Sequence, residues 1–212
     1  MSYITIPFPA DAEFIERRSR FIGHAAPAAT EEEALRFVAA IKAQYADATH
    51  NVWAYHLQQG RERYADDGEP QGTAGPPVLD VLKKSGVVDV AVVVTRYFGG
   101  VLLGAGGLVR AYSHAAHLAL EAAGPCEVHL CEDLCFSVDY TLYGKVQHLL
   151  PDYGAQVLET NFAADVALTV RLLAERAEAF RAALLDLSGG ACRAGIVGEG
   201  HYPLSKQEGT KP

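Results

Sequence analysis

Between Arg96 and Arg110 the chain reads RYFGGVLLGAGGLVR, a cation followed by two aromatic rings and a glycine-rich run. Arg96 can offer a bidentate fork to an oxyanion, and Tyr97 or Phe98 a stacking surface. Gly99, Gly100, Gly104, Gly106 and Gly107 leave backbone that an anion can approach closely. A helix starting after Gly104 would point its unpaired N–H groups and positive dipole end at the same place, with Arg110 on its flank. The stretch therefore suits an anionic or polymeric partner. The familiar phosphate loops do not fit. Gly99 and Gly104 have the first spacing of a P-loop, yet Ala105 and Gly106 stand where Gly-Lys is needed, and Val109 occupies the third glycine position of a dinucleotide motif. The competing reading is architectural: the glycines let a helix pack tightly on its sheet, and Arg96 closes an internal salt bridge.

Two other clusters could carry chemistry. Asp66, Asp67 and Glu69 lie in the loop 66–72, where they could bind a divalent cation, work as acid–base groups, or pair with Arg96 and Arg110. His50 and His56 share a strand face on either side of Trp53 and Tyr55. With Asp66, Asp67 or Glu69 they form the candidate metal set of an alternative function, a metal-dependent, peptidase-like hydrolase. Neither His-Glu-x-x-His nor Gly-x-Ser-x-Gly occurs, so the standard hydrolase signatures are missing. No cofactor motif is found and none is expected. Cys126, Cys131, Cys135 and Cys192 include no C-x-x-C pair and read as plain reduced thiols.

The elements that must position these residues form two α+β halves. In the first, Phe14 to Ala26 makes one or two strands, Thr30 caps a helix with Glu31, Glu32 and Glu33 in its first turn, and Asn51 to Leu57 is a strand. Thr73 can cap a helix with Pro76 and Pro77 in its first turn, ended by Gly86. Val87 to Thr95, VVDVAVVVT, is a strand buried on both faces. A long helix runs from Gly104 to about Ala123, with Leu108, Tyr112, Ala116 and Ala119 inside and Arg110, His114, His117 and Glu121 outside. The second half reads strand (Glu127 to Tyr140), helix (Tyr143 to Leu150), strand (Ala155 to Thr160), strand (Asp165 to Leu173), helix (Ala174 to Leu187) and strand (Cys192 to about Tyr202), the β-α-β-β-α-β order of a ferredoxin-like domain.

With 212 residues, the chain suits two small cores better than one, giving domains at 1–126 and 127–204 and a polar tail at 205–212. The net charge is −8, and the halves share it: residues 1–131 hold 15 acidic and 11 basic side chains and residues 132–212 hold 11 and 7, so each stands at −4. Nucleic acid must then be met by a local basic patch. Neither a secretory signal nor a membrane-length apolar run is present, which makes the cytoplasm the expected location and a membrane partner unexpected.

The runs Ser19-Arg20-Phe21-Ile22, Ala48-Thr49-His50-Asn51, Asp66-Asp67-Gly68-Glu69-Pro70, Gly72-Thr73-Ala74-Gly75, Arg96-Tyr97-Phe98-Gly99-Gly100 and Leu103 through Tyr112 (LGAGGLVRAY) resemble the IMPACT family in its bacterial, YigZ-like form. The resemblance implies a first domain with a two-layer α+β fold similar to the second domain of a small-subunit ribosomal protein, and a ferredoxin-like second domain similar to the C-terminal domain of elongation factor G. It implies RNA, the ribosome or a translation factor as partner. Eukaryotic members regulate translation under stress by competing for an activator of a kinase that phosphorylates an initiation factor, using an extra N-terminal recruitment domain. Because this chain opens directly on the shared domain, that kinase-pathway role is not expected to carry over.

Overall fold

The computed structural model describes residues 2–203; the tail expected at 205–212 lies outside the described residues. The chain divides into two compact units, one from Tyr3 to Glu127 and the other formed mainly by residues from Val128 onward.

In the first unit an antiparallel sheet has the order β2-β3-β6-β4-β5, with β2 at Ala10–Glu16, β3 at Ser19–Pro27, β4 at His50–His56, β5 at Glu62–Ala65 and β6 at Val90–Tyr97. A short β1 (Ser2–Thr5) precedes them, and its Ile4 bridges in parallel to Val87. The apolar run predicted from Val87 becomes the central strand, although regular pairing begins only at Val90. Successive side chains on β6 face opposite ways. Val92 and Val94 meet α2 (Gly75–Ser85) and α3 (Ala105–Ala123). Ala91 and Val93 meet α1 (Glu31–Gln44) through Ala34, Val38 and Ile41. The strand, apolar on both faces, thus carries a helix on each.

Caps set the helix starts. Thr30 caps α1, as the sequence predicts, and the Glu33 side chain completes a capping box with it. At α2 the expected cap is replaced: Thr73 donates its hydroxyl to the Pro70 carbonyl, while the Asp66 carboxylate accepts the amides of Gly72, Ala74 and Gly75. An acceptor eight residues upstream has no local sequence signature. The turn between β2 and β3 is two residues, Arg17 and Arg18, flanked by the pair Glu16–Ser19.

The second unit has the predicted ferredoxin-like order: β7 (Cys126–Val138), α4 (Tyr140–Leu149), β8 (Gln156–Phe162), β9 (Val166–Leu173), α5 (Ala174–Leu187) and β10 (Gly195–Pro203). The strands lie side by side as β10-β7-β9-β8, all antiparallel. Val166, Leu168, Val170 and Leu172 point inward from β9 onto Ala177, Phe180 and Leu184 of α5. The four cysteines are unbridged thiols, and burial raises the pKa of those at Cys131 and Cys192. Among the described residues no helix is long and apolar enough to cross a membrane.

Candidate functional site

The end of β6, the glycine-rich loop and the start of α3 enclose a cleft of about 430 Å³ in the first unit. Its floor is polar, made by Thr49, His50, Glu69 and Arg96, and its wall is apolar, with Phe98, Leu102, Leu103 and Leu108. Phe98 is 46% exposed and Leu102 is 81% exposed, so the apolar wall is open to a partner.

Arg96 is not the free cation that a surface anion site would use. It is 5% exposed, and its Nη1 donates to Glu69 Oε1 at 2.5 Å. The guanidinium lies 5.4 Å from the ring centroid of Phe21 and 5.5 Å from that of Phe98, and Nη2 is 3.4 Å from the Ser19 hydroxyl. Among the described residues its Nε has no hydrogen-bond partner. Glu69, 8% exposed, also accepts the Tyr112 hydroxyl at 2.7 Å. Burial, and then the adjoining carboxylate, raise the Tyr112 phenol far above its ordinary pKa, so it stays a donor. The cleft floor is consequently an internally neutralised ion pair, the architectural alternative for Arg96, which nevertheless borders an open cleft.

The three loop carboxylates do not converge. Asp66 caps α2, and Asp67 accepts the Asn51 amide at 2.7 Å and pairs with Lys42 at 2.5 Å. Only Glu69 reaches the cleft. The predicted metal set is likewise not assembled. His50 and His56 stand at opposite ends of β4, which at about 3.3 Å per residue puts them roughly 20 Å apart. His50 Nδ1 bonds the Asp67 carbonyl and His56 Nδ1 the Val87 carbonyl; a carbonyl only accepts, so each Nδ1 carries its hydrogen. Among the described residues no group of three or more His, Cys, Asp or Glu is arranged to hold a metal ion.

Tyr97 faces away from Arg96, as alternation along β6 requires, and its hydroxyl donates to Asp47 at 2.9 Å. The glycines divide by role. A Cβ on Gly99 would lie 2.0 Å from the Arg18 carbonyl, so Gly99 is a packing residue that seats the β2–β3 turn. Gly100 and Gly104 have φ of +80° and +71°, which a side chain would strain. A Cβ on Gly106 would meet nothing within 4 Å, so the start of α3 is open on that side. Gly107 packs against Leu103. Among the described residues no side chain caps α3, which leaves its first N–H groups after Gly104 available.

Arg110 is exposed and lines a second groove, of about 260 Å³, with Phe14, Glu16, Arg17, Leu103, Gly107 and His114. Arg17 and Arg18 were not legible as site residues, since nothing in the sequence brings them to the glycine loop. The structure does so by hairpin register and the missing side chain of Gly99. Among the described residues neither Arg18 nor Arg110 has a hydrogen-bonding or ionic partner.

These features describe a two-unit α+β protein whose first unit sets a glycine-rich loop over a buried Arg–Glu pair and whose second is ferredoxin-like. The model of the Impact N-terminal domain matches residues 17–120, and that of a domain of unknown function (DUF1949) matches residues 136–191. The chain is 38% identical over 195 residues to the IMPACT family member YvyE of Bacillus subtilis, spanning 89% of this chain and 88% of that protein. It is 34% identical to the IMPACT family member YigZ of Escherichia coli, over 82% of this chain and 88% of that one. A crystal structure of a hypothetical protein, 32% identical, superposes with a TM-score of 0.60 over 91% of this chain and 96% of its own. The chain belongs to the IMPACT family.

Proposed function

We propose that this protein is a translation-linked binding protein whose first unit takes RNA at the cleft beside α3. The observation that carries the reading is the cleft itself: uncapped helix N–H groups and exposed Phe98 and Leu102 border one opening. Helix N-termini favour phosphate, and an exposed ring is a platform for an unstacked base. With Arg96 neutralised by Glu69, the sequence-independent attraction falls to Arg110 and its neighbours. Family membership supports a place in translation, because the resemblance to ribosomal and elongation-factor domains points there.

The test is ribosome co-sedimentation, together with fluorescence anisotropy on a labelled RNA, across a salt series. Binding is expected to weaken steeply with salt. Leu102→Glu, at a site too exposed to matter for folding, is expected to lower affinity about tenfold or more by setting a carboxylate beside the phosphates. RNA and ribosome binding that is absent, or that is indifferent to both salt and Leu102→Glu, would overturn the proposal.

A further inference from the structure

The β2–β3 turn holds two arginines in a conformation that arginine disfavours. Arg17 has φ +44° and Arg18 φ +69°, and the flanking pair Glu16–Ser19 makes this a two-residue hairpin loop. Both central residues at positive φ is the geometry of a type I′ turn, where Asn-Gly is strongly preferred because glycine lacks the Cβ that clashes. Arginine here costs the fold, and no internal contact repays it. Both side chains are exposed, and among the described residues Arg17 has only its neighbour Glu16 as an ionic partner, at 3.9 Å, and Arg18 has none.

The turn is nonetheless held firmly. The Gly99 backbone lies so close under Arg18 that any Cβ would collide with it, and the Gly99 amide donates to the buried Ser19 hydroxyl at 3.2 Å. A strained, fixed and cationic turn is presented, and it is presented next to the cleft. Arg17 shares a groove with Arg110 and His114, and Leu103 borders both that groove and the cleft holding Phe98 and Leu102. Cations and an apolar ring platform are therefore contiguous over the first turns of α3.

We propose that Arg17, Arg18 and Arg110 form a phosphate rail for single-stranded RNA, whose backbone follows the groove while an unstacked base enters the cleft against Phe98. This deepens and rests on the RNA reading above. Single strands are specified because the apolar cleft can be filled only by a base that is free to splay out, and a duplex keeps its bases stacked. The strain at the turn is explained as the cost of placing two cations where the backbone of a strand must pass.

The deciding variant is Arg17→Asn with Arg18→Gly, which supplies the residues the turn prefers. The probes are a labelled ten-nucleotide single-stranded RNA, its duplex and a poly-aspartate peptide, read by fluorescence anisotropy across a salt series, with thermal melting alongside. The expected result is opposite movement of two observables: Tm rises by about 2–5 °C as strain is relieved, while single-strand affinity falls about tenfold. The log–log salt slope should shrink by about 1.4 for two lost phosphate contacts. Arg110→Ala should shrink it by about 0.7. Unchanged affinity and slope in the turn variant would overturn the rail, as would duplex binding equal to single-strand binding, or equal competition by poly-aspartate. If the wild type binds RNA and Leu102→Glu weakens it while the turn variant is normal, the rail alone falls. If the wild type binds no RNA, both readings fall.

Discussion

Removing the Glu69 carboxylate decides whether Arg96 is an internal strut or an available ligand-binding cation. In Glu69→Ala the guanidinium, 5% exposed and fixed between Phe21 and Phe98, would lose its counter-charge, and the Tyr112 hydroxyl would lose its acceptor. Breaking one side of a buried pair costs about 3–5 kcal/mol, because the remaining charge stays desolvated without compensation. Against a total stability of about 5–15 kcal/mol this is a large fraction. With a urea m-value of roughly 1.5–2 kcal/mol/M, the midpoint of the first unit should fall by about 2 M. The chain has a single tryptophan, Trp53 on β4, so its fluorescence reports this unit in the intact protein. Pairing Glu69→Leu with Arg96→Met should recover much of the loss, since an apolar pair has no stranded charge. A cost below about 1 kcal/mol for Glu69→Ala would refute the reasoning and return Arg96 to solvent.

Two further outcomes follow from the geometry. Gly99→Ala should lower stability by about 1–3 kcal/mol, because its Cβ would lie 2.0 Å from Arg18 backbone atoms; Gly106→Ala, with nothing within 4 Å, should raise it by up to about 0.5–1 kcal/mol through helix propensity. Thermal melts of the two variants moving in the same direction would contradict this division. In the second unit the Thr141 hydroxyl, and then the Leu142 amide, hold the Asp139 carboxyl below its usual range. A depressed folded-state pKa adds stability above the unfolded carboxylate value and loses it as pH falls through the folded one. Asp139→Asn should therefore be less stable than wild type above about pH 5, with the gap closing below about pH 4 in urea titrations followed by circular dichroism. A gap that persists at acid pH would exclude the carboxylate as its source.

Elements with a strong period were legible in the sequence. The Val90–Tyr97 core strand, the Glu31–Gln44 helix with its Thr30 cap, α3 with its inner face, and the order of the second unit all follow from local spacing. Two strands escaped because they lack such a signal: β1 is four residues, and β5, Glu-Arg-Tyr-Ala, is a short charged edge strand. At the site, the stretch from Arg96 to Arg110 was visible as special, but its internal roles were not. Whether Arg96 meets solvent depends on Glu69, 27 residues earlier, and on Phe21 from another strand. The arginine turn was hidden for the opposite reason, since Arg-Arg is the reverse of what a positive-φ hairpin loop announces.

The fanned carboxylates of the loop 66–72 bear on how the chain tolerates changes in length. Surface connections commonly absorb inserted residues. The turn near Gly60 between β4 and β5 is of that kind, since Gly60 has open space around it. Between Asp66 and Glu69 there is no such slack, because Asp66 is fixed to α2, Asp67 to Asn51 and Lys42, and Glu69 to Arg96 and Tyr112. Two inserted glycines after Gly60 should leave the first unit folded, and the same pair after Asp67 should detach Asp66 or Glu69. The short acidic segment therefore acts as a fixed-length spacer, with its reach set by three anchors at once.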